Sequence, residues 1–149
     1  MFYLLQTEPD YIITFLRLVA GVIILPYGMQ KLLGRFEGLG PGAKATIQQT
    51  RERHLPVFIG WLVIIGQSFG SIALITGCLG RIAAAGNFII FTGALITHAK
   101  DGWTMNWFSK KKGEGIEYFI LLLAILFVII IKGSGALSID HWVASTIDV

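Results

Sequence analysis

The sequence holds a single cysteine, Cys78, among 149 residues. That excludes an intrachain disulfide, a CxxC redox pair and a multi-cysteine cluster, so any redox role has to come from a bound cofactor or a partner. Charge is scarce as well: only 14% of the residues are charged and the net charge is +3. The basic residues are scattered among apolar runs, a pattern that does not suggest nucleic-acid binding. Of the three histidines, only His54 and His98 lie toward the same side within or beside apolar segments. His54 stands at the very end of its segment, which speaks against a buried bis-histidine haem site. No metal site is expected. The opening stretch "MFYLLQTEPD" has no basic n-region, and Glu8 and Asp10 precede the first apolar run, so that run is expected to stay in the mature protein.

What remains is overwhelmingly apolar. With 54% hydrophobic residues and a mean hydropathy of +0.71, the chain carries more apolar surface than a soluble domain of this length can bury. It reads as an all-α integral membrane protein, a four-transmembrane-helix bundle forming a single domain over residues 1–149. At about 1.5 Å per residue, four segments approach the roughly 30 Å of a hydrocarbon core: residues 11–30, 55–76, 81–99 and 116–132. The second and third are joined by "GCLGR", which allows only a tight antiparallel hairpin and makes these two helices neighbours.

Charge sets the expected direction. Lys31, Arg35, Lys44, Arg51, Arg53, Lys100, Lys110, Lys111 and Lys112 lie in or beside the two long loops, against Arg81 and Lys132 on the other side. The positive-inside rule then puts both long loops in the cytoplasm and both termini outside. In the first loop, residues 43–53 read as a solvated connector, because they lack a broad apolar face, with a short polar helix near the membrane surface as the alternative. In the second, Trp103, Trp107 and Phe108 beside Lys110, Lys111 and Lys112 read as interface anchors for the bundle, with a grip on a partner or anionic lipid as the alternative.

Polar residues inside the spans each need an account. Counted from the middle of each segment, Arg17, Gln67 and Asn87 fall within about 5 Å of the centre and form one candidate polar layer, for packing or for a ligand. Tyr27, His98 and Glu117 fall about 10–12 Å toward the cytoplasmic side as a second. Arg17, Gly21, Ile24 and Gly28 share one helical face, and Gly66 with Gly70, and Gly86 with Gly93, mark close-packing seams on the next two helices, within one chain or against a second. Pro26 is expected to kink the first helix. Bland readings stand beside these. Arg17 either faces the interior or snorkels outward to Asp10. Gln67 and Asn87 serve as interhelical hydrogen-bond glue, His98 as an interfacial residue, and Glu117 as a first-turn acid.

The series Arg17, Gly21, Gly28, Lys31, Leu32 and Gly34, then "GQSFGSIALITGCLGRIAAAG", His98, "GEGIEYFILLLA" and "GSGALSID", resembles the DoxX family of small four-helix bacterial membrane proteins over nearly the whole chain. The resemblance implies a multi-pass protein of the bacterial inner membrane. Some members of that family are membrane subunits of a thiosulfate to quinone oxidoreductase, and others associate with membrane oxidoreductase complexes. Two residues depart from the family pattern: Tyr27 stands where histidine is common in an HGxxK stretch, and Gln67 where glutamate is common. Both changes remove a group able to titrate near neutral pH. Arg17 is left without an evident acid in its layer, which makes an external anion, carbonyl or lipid head group its candidate partner.

Three functions follow as expectations. The first is a non-catalytic integral subunit packing in a larger membrane complex, electron-transfer or quinone-linked, its partners being lipids and other membrane-protein subunits or a second copy. The second is a quinone-binding subunit of an oxidoreductase, with Arg17, Gln67 or His98 as donors. The third is a small-molecule transporter. No intrinsic cofactor is expected; the polar groups leave room for a bound quinone or lipid as a candidate ligand.

Overall fold

The computed structural model describes residues 7–34, 42–106 and 115–147. Among the described residues six α-helices follow in order: α1 (Tyr11–Leu33), α2 (Gly42–Glu52), α3 (Val57–Thr76), α4 (Gly80–His98), α5 (Glu117–Lys132) and α6 (Ile139–Ile147), with a 3₁₀ turn at Ala99–Asp101. There is no strand among the described residues. α1, α3 and the stretch from Gly80 to Asp101 are long and apolar enough to cross a membrane. α5 has 16 residues, about 24 Å of helix, nearly all of them aliphatic or aromatic, and it completes the bundle.

The ends of the helices are set by local chemistry. Asp10 caps α1, its carboxylate accepting from the Ile12 and Ile13 amides. Gly34 and Gly77 close α1 and α3 in the left-handed conformation, which glycine adopts without a steric penalty. α1 runs through Pro26 as one continuous helix, so the expected kink does not break it into two pieces.

Each long helix packs on two others. α1 lies on α3 and α5, and α4 lies on α3 and α5, so α1 and α4 face each other diagonally. The antiparallel pairing of α3 with α4 is as the "GCLGR" hairpin required. Between the helices sits a core of Ala20, Ile24, Leu74, Ala84, Phe91, Phe119, Leu122, Leu126 and Ile129.

Two elements differ from the sequence reading. Residues 43–53 lie within or beside α2, a helix docked on α3 and not a free connector. Thr46 and Thr50 are buried there, each with its hydroxyl donated back to the carbonyl four residues earlier. That local bond turns two polar residues into a methyl-bearing contact surface. Gly60 of α3 receives it, since a side chain at Gly60 would meet the Thr50 hydroxyl at 2.9 Å. The second element is α6, a helix beyond the last span that periodicity of the apolar runs did not indicate.

Candidate functional site

Arg17 is the focus of the polar chemistry. It is 1% exposed, and its guanidinium is spent on backbone carbonyls of its own chain. Nε donates to Ser134 O at 2.8 Å, one terminal nitrogen to Leu74 O and to Ile75 O, and the other to Leu137 O at 2.6 Å. Leu74 and Ile75 are in the last turn of α3, where carbonyls run out of i+4 amides and carry the negative end of the helix dipole; Leu74 O has one long bond from the closing Gly77 amide. A planar cation with five donors matches that array in a way a point charge would not. Of the two sequence readings of Arg17, the inward-facing one agrees with its burial and the other is corrected: Arg17 does not snorkel to Asp10, which caps α1, and carbonyls of its own chain stand where an external anion was expected.

The acid that faces this knot was overlooked. Asp140, 3% exposed, accepts from Leu79 N at 2.7 Å, Gly80 N at 2.9 Å and the Ser134 hydroxyl at 2.5 Å. The first two are orphan amides at the start of α4, so Asp140 acts as an N-cap supplied from across the molecule. Its charge acts on the Arg17 guanidinium. The α3–α4 hairpin is thus held at its carbonyl end by a cation and at its amide end by an anion, each matching the local dipole. Leu79 sits in the left-handed region at φ 53°, which costs a non-glycine residue about 1–2 kcal/mol; the Asp140 bond to its amide holds it there.

The segment bearing Asp140 is pressed onto α1. Gly135, at φ 79°, leaves no room for a side chain, which would meet the Thr14 hydroxyl and amide and the Asp10 carbonyl at 2.5–2.7 Å. Ala136 N donates to Asp10 O and Leu137 N to the Thr14 hydroxyl. Arg81 repeats the device on the next helix, donating to Ile130 O and Ile131 O at 2.7 Å in the last turn of α5. The signal in the sequence was "GSGALSID", two glycines and an aspartate just past the last span.

The first candidate layer does not assemble. Arg17 reaches the last turn of α3, two turns beyond Gln67. Asn87 donates to Gly66 O and Ala83 O at 3.0 Å, bridging α4 to α3 as hydrogen-bond glue. The side-chain oxygens of Gln67 and Asn87 and the Ser68 hydroxyl are buried without a partner. The physical reason is that α1 extends three residues past the expected end, Leu33 against 30, and that the helices slide against one another, which depth along a single segment does not contain.

The second layer shares an end of the bundle but not a common polar point. The Tyr27 ring lies 6.2 Å from Tyr118, and the His98 ring stacks on Phe119 at 5.6 Å. Adjacent rings, Tyr118 and Phe119, lie between them. His98 Nδ1 is 2.7 Å from an Asp101 carboxylate oxygen. Glu117 accepts from the Met105 amide at 3.0 Å and ties the α4–α5 connection to α5.

The six seam glycines separate into two kinds. A side chain at Gly28 would run into the Gln67 carbonyl and the Ser68 amide, and at Gly21, Gly66 or Gly70 it would meet Ile75, Ile90 or Asn87 at 2.5–2.7 Å. At Gly86 and Gly93 nothing lies within 4 Å. These two belong to an exposed stripe of α4, Ile82, Gly86, Ile89, Gly93 and Ile96, spaced so that all five share one face. Trp103 is exposed, as an interface anchor requires; Trp107, Phe108, Lys110, Lys111 and Lys112 lie outside the described residues.

A protein-family model described as DoxX matches residues 12–100, from the first turn of α1 into the 3₁₀ turn after α4. No curated protein and no solved structure matches the chain.

Proposed function

The chain belongs to the DoxX family, and on that premise we propose that it is an integral membrane subunit, without catalysis of its own, that packs against other membrane chains through the outward face of α4. The observation that carries the reading is the contrast among the glycines. Four are filled by neighbouring helices of the same chain, while Gly86 and Gly93 are open to the outside on a ladder of isoleucines. A knob–groove face of that kind suits helix–helix contact in lipid, where close backbone approach supplies van der Waals packing. The Arg17 knot supports the same role, because it ties α1 to α3 and to the 134–137 segment and commits four donors of that guanidinium to carbonyls of its own chain. The host assembly is of the quinone-linked, electron-transfer kind that the family resemblance implies.

A quinone-binding subunit is the second reading. In its favour are the unpartnered side-chain oxygens of Gln67 and Asn87. An amide oxygen only accepts, so the group it selects is a donor, such as the hydroxyl of a reduced quinone. One experiment separates the two readings. The protein is extracted in mild detergent, run on native electrophoresis and analysed for bound quinone, as wild type, Gly86→Trp, Gly93→Trp and Gln67→Leu. We expect wild type to co-migrate with partners, both tryptophan variants to run free but folded, and quinone content to be indifferent to Gln67→Leu. A monodisperse wild-type monomer would sink the subunit reading; quinone lost only from Gln67→Leu would replace it with the second.

The orientation proposed puts the end bearing Lys31, Lys44, Arg51, Arg53 and Lys100 in the cytoplasm of a bacterial inner-membrane protein. Cys78, exposed in the α3–α4 turn at the opposite end, is a native reporter. In spheroplasts it is expected to react with a membrane-impermeant maleimide, whereas Lys44→Cys in a Cys78→Ser background reacts only after permeabilisation. The reverse pattern would invert the topology.

A further inference from the structure

We propose that α6 is an interfacial helix, and that together with the turn before it this helix buries Leu137, Ile139 and Trp142 in the headgroup–acyl boundary of the leaflet at the Asp10 end of the bundle. Depth is the first ground. Asp140 N donates to Gly77 O at 2.9 Å, and Gly77 is the residue that closes α3, so α6 begins at the level where the spans end. From there it has no room to drift, since its first turn is held through Asp140 to the start of α4.

Surface chemistry is the second ground. Leu137 and Trp142 are 66% and 69% exposed, and Ile139 is exposed beside them. Tryptophan, apolar over most of its ring with one N–H, settles at the membrane–water boundary. This patch is continuous with the lipid-facing side of α1: the backbone of Ala136 and Leu137 lies on Asp10 and Thr14, whose neighbours Tyr11, Ile12 and Phe15 are exposed.

The third ground is how α6 treats its own polar groups. Ser138 caps it, accepting from His141 N at 3.1 Å. The exposed Ser145 and Thr146 hydroxyls both turn back to the Trp142 carbonyl at 2.8 Å. Hydroxyls satisfied within the helix ask little of water, as a segment half-sunk in headgroups requires. A helix of nine residues is too short to persist unsupported in water; the Asp140 anchor and the lipid boundary together supply what it lacks.

The full-length protein is reconstituted in phosphatidylcholine–phosphatidylglycerol vesicles. In a Cys78→Ser background, nitroxide labels at Ile139→Cys, Trp142→Cys and, as the aqueous reference, Lys44→Cys are compared for collision with oxygen, which concentrates in lipid, and with a water-soluble nickel chelate. Labels at 139 and 142 are expected to favour oxygen several-fold over the label at 44. As a check needing no label, wild type is compared with Trp142→Phe in vesicles containing brominated lipid: the emission that disappears with the substitution is expected to be the component quenched by bromine and shielded from aqueous iodide. Nickel-accessible labels and an iodide-quenched Trp142 would place α6 in water and overturn the proposal. Labels reached by neither agent, with Trp142 emission quenched by neither, would place it under another protein copy and overturn it equally.

Discussion

Replacing Arg17 by alanine is expected to lower the stability of the bundle by about 3–5 kcal/mol, the range for removing one partner from a buried, hydrogen-bonded charge. The carbonyls of Ile75, Ser134 and Leu137 would lose their Arg17 donors together, and Leu74 O would keep only the long bond from the Gly77 amide, in a place where water is a poor substitute. Asp140 would keep its capping bonds but lose the opposite charge beside it. Arg17→Lys should recover only part of the loss, because one ammonium cannot reach carbonyls from α3 and from the 134–137 segment at once. Thermal unfolding of the detergent-solubilised protein, followed by aggregation, ranks the three. If Arg17→Ala melts with wild type, the carbonyls are being satisfied by solvent and the knot is not what holds the hairpin.

The second large effect is a change of sign for one chemical substitution. Gly28→Ala places a methyl group against the Gln67 carbonyl and the Ser68 amide, which are backbone atoms and can yield only if α1 and α3 move apart. Overpacking of this kind costs about 1–3 kcal/mol. Gly93→Ala meets nothing of its own chain and replaces a flexible helical residue by the best helix former, a gain of up to about 1 kcal/mol. Measured on the same detergent-solubilised protein, Gly28→Ala should melt lower than wild type and Gly93→Ala at least as high. Equal shifts in the two variants would mean that α1 and α3 are not in the close contact described here.

That pair of glycines shows where sequence reasoning stops. Gly28 and Gly93 look alike in a helical projection, each part of a small-residue seam on an apolar helix. Which seam is filled depends on how the four helices are arranged around one another, and a projection of a single helix does not contain that. Arg17 teaches the same lesson at a distance. Its presence among apolar residues demanded a partner, and that demand was legible. Its partners lie 57 to 120 residues further along the chain, and most are backbone oxygens, which every residue has and no pattern of side chains marks.

Asp140 was harder still to see. It follows the last span in a short polar-looking stretch, where an acidic residue is ordinarily solvated, and only the docking of that stretch onto α1 carries it to the amides of Leu79 and Gly80. The docking of α2 was hidden for an opposite reason: its threonines look hydrophilic until their hydroxyls are committed to their own helix.

Composition and local periodicity alone were enough to place this chain in a membrane as a helical bundle, to mark the four long helices to within a few residues, and to pair α3 with α4 through a turn too short for any other geometry. Those features depend on neighbours in the chain and on the solvent, and both can be read along the sequence. The use of Arg17 and Asp140 as clamps on one hairpin, and the separation of filled from open glycines, emerged from contacts between distant segments. Such contacts are set by how rigid helices slide and rotate to fill space together, a property of the whole bundle that no single stretch of it encodes.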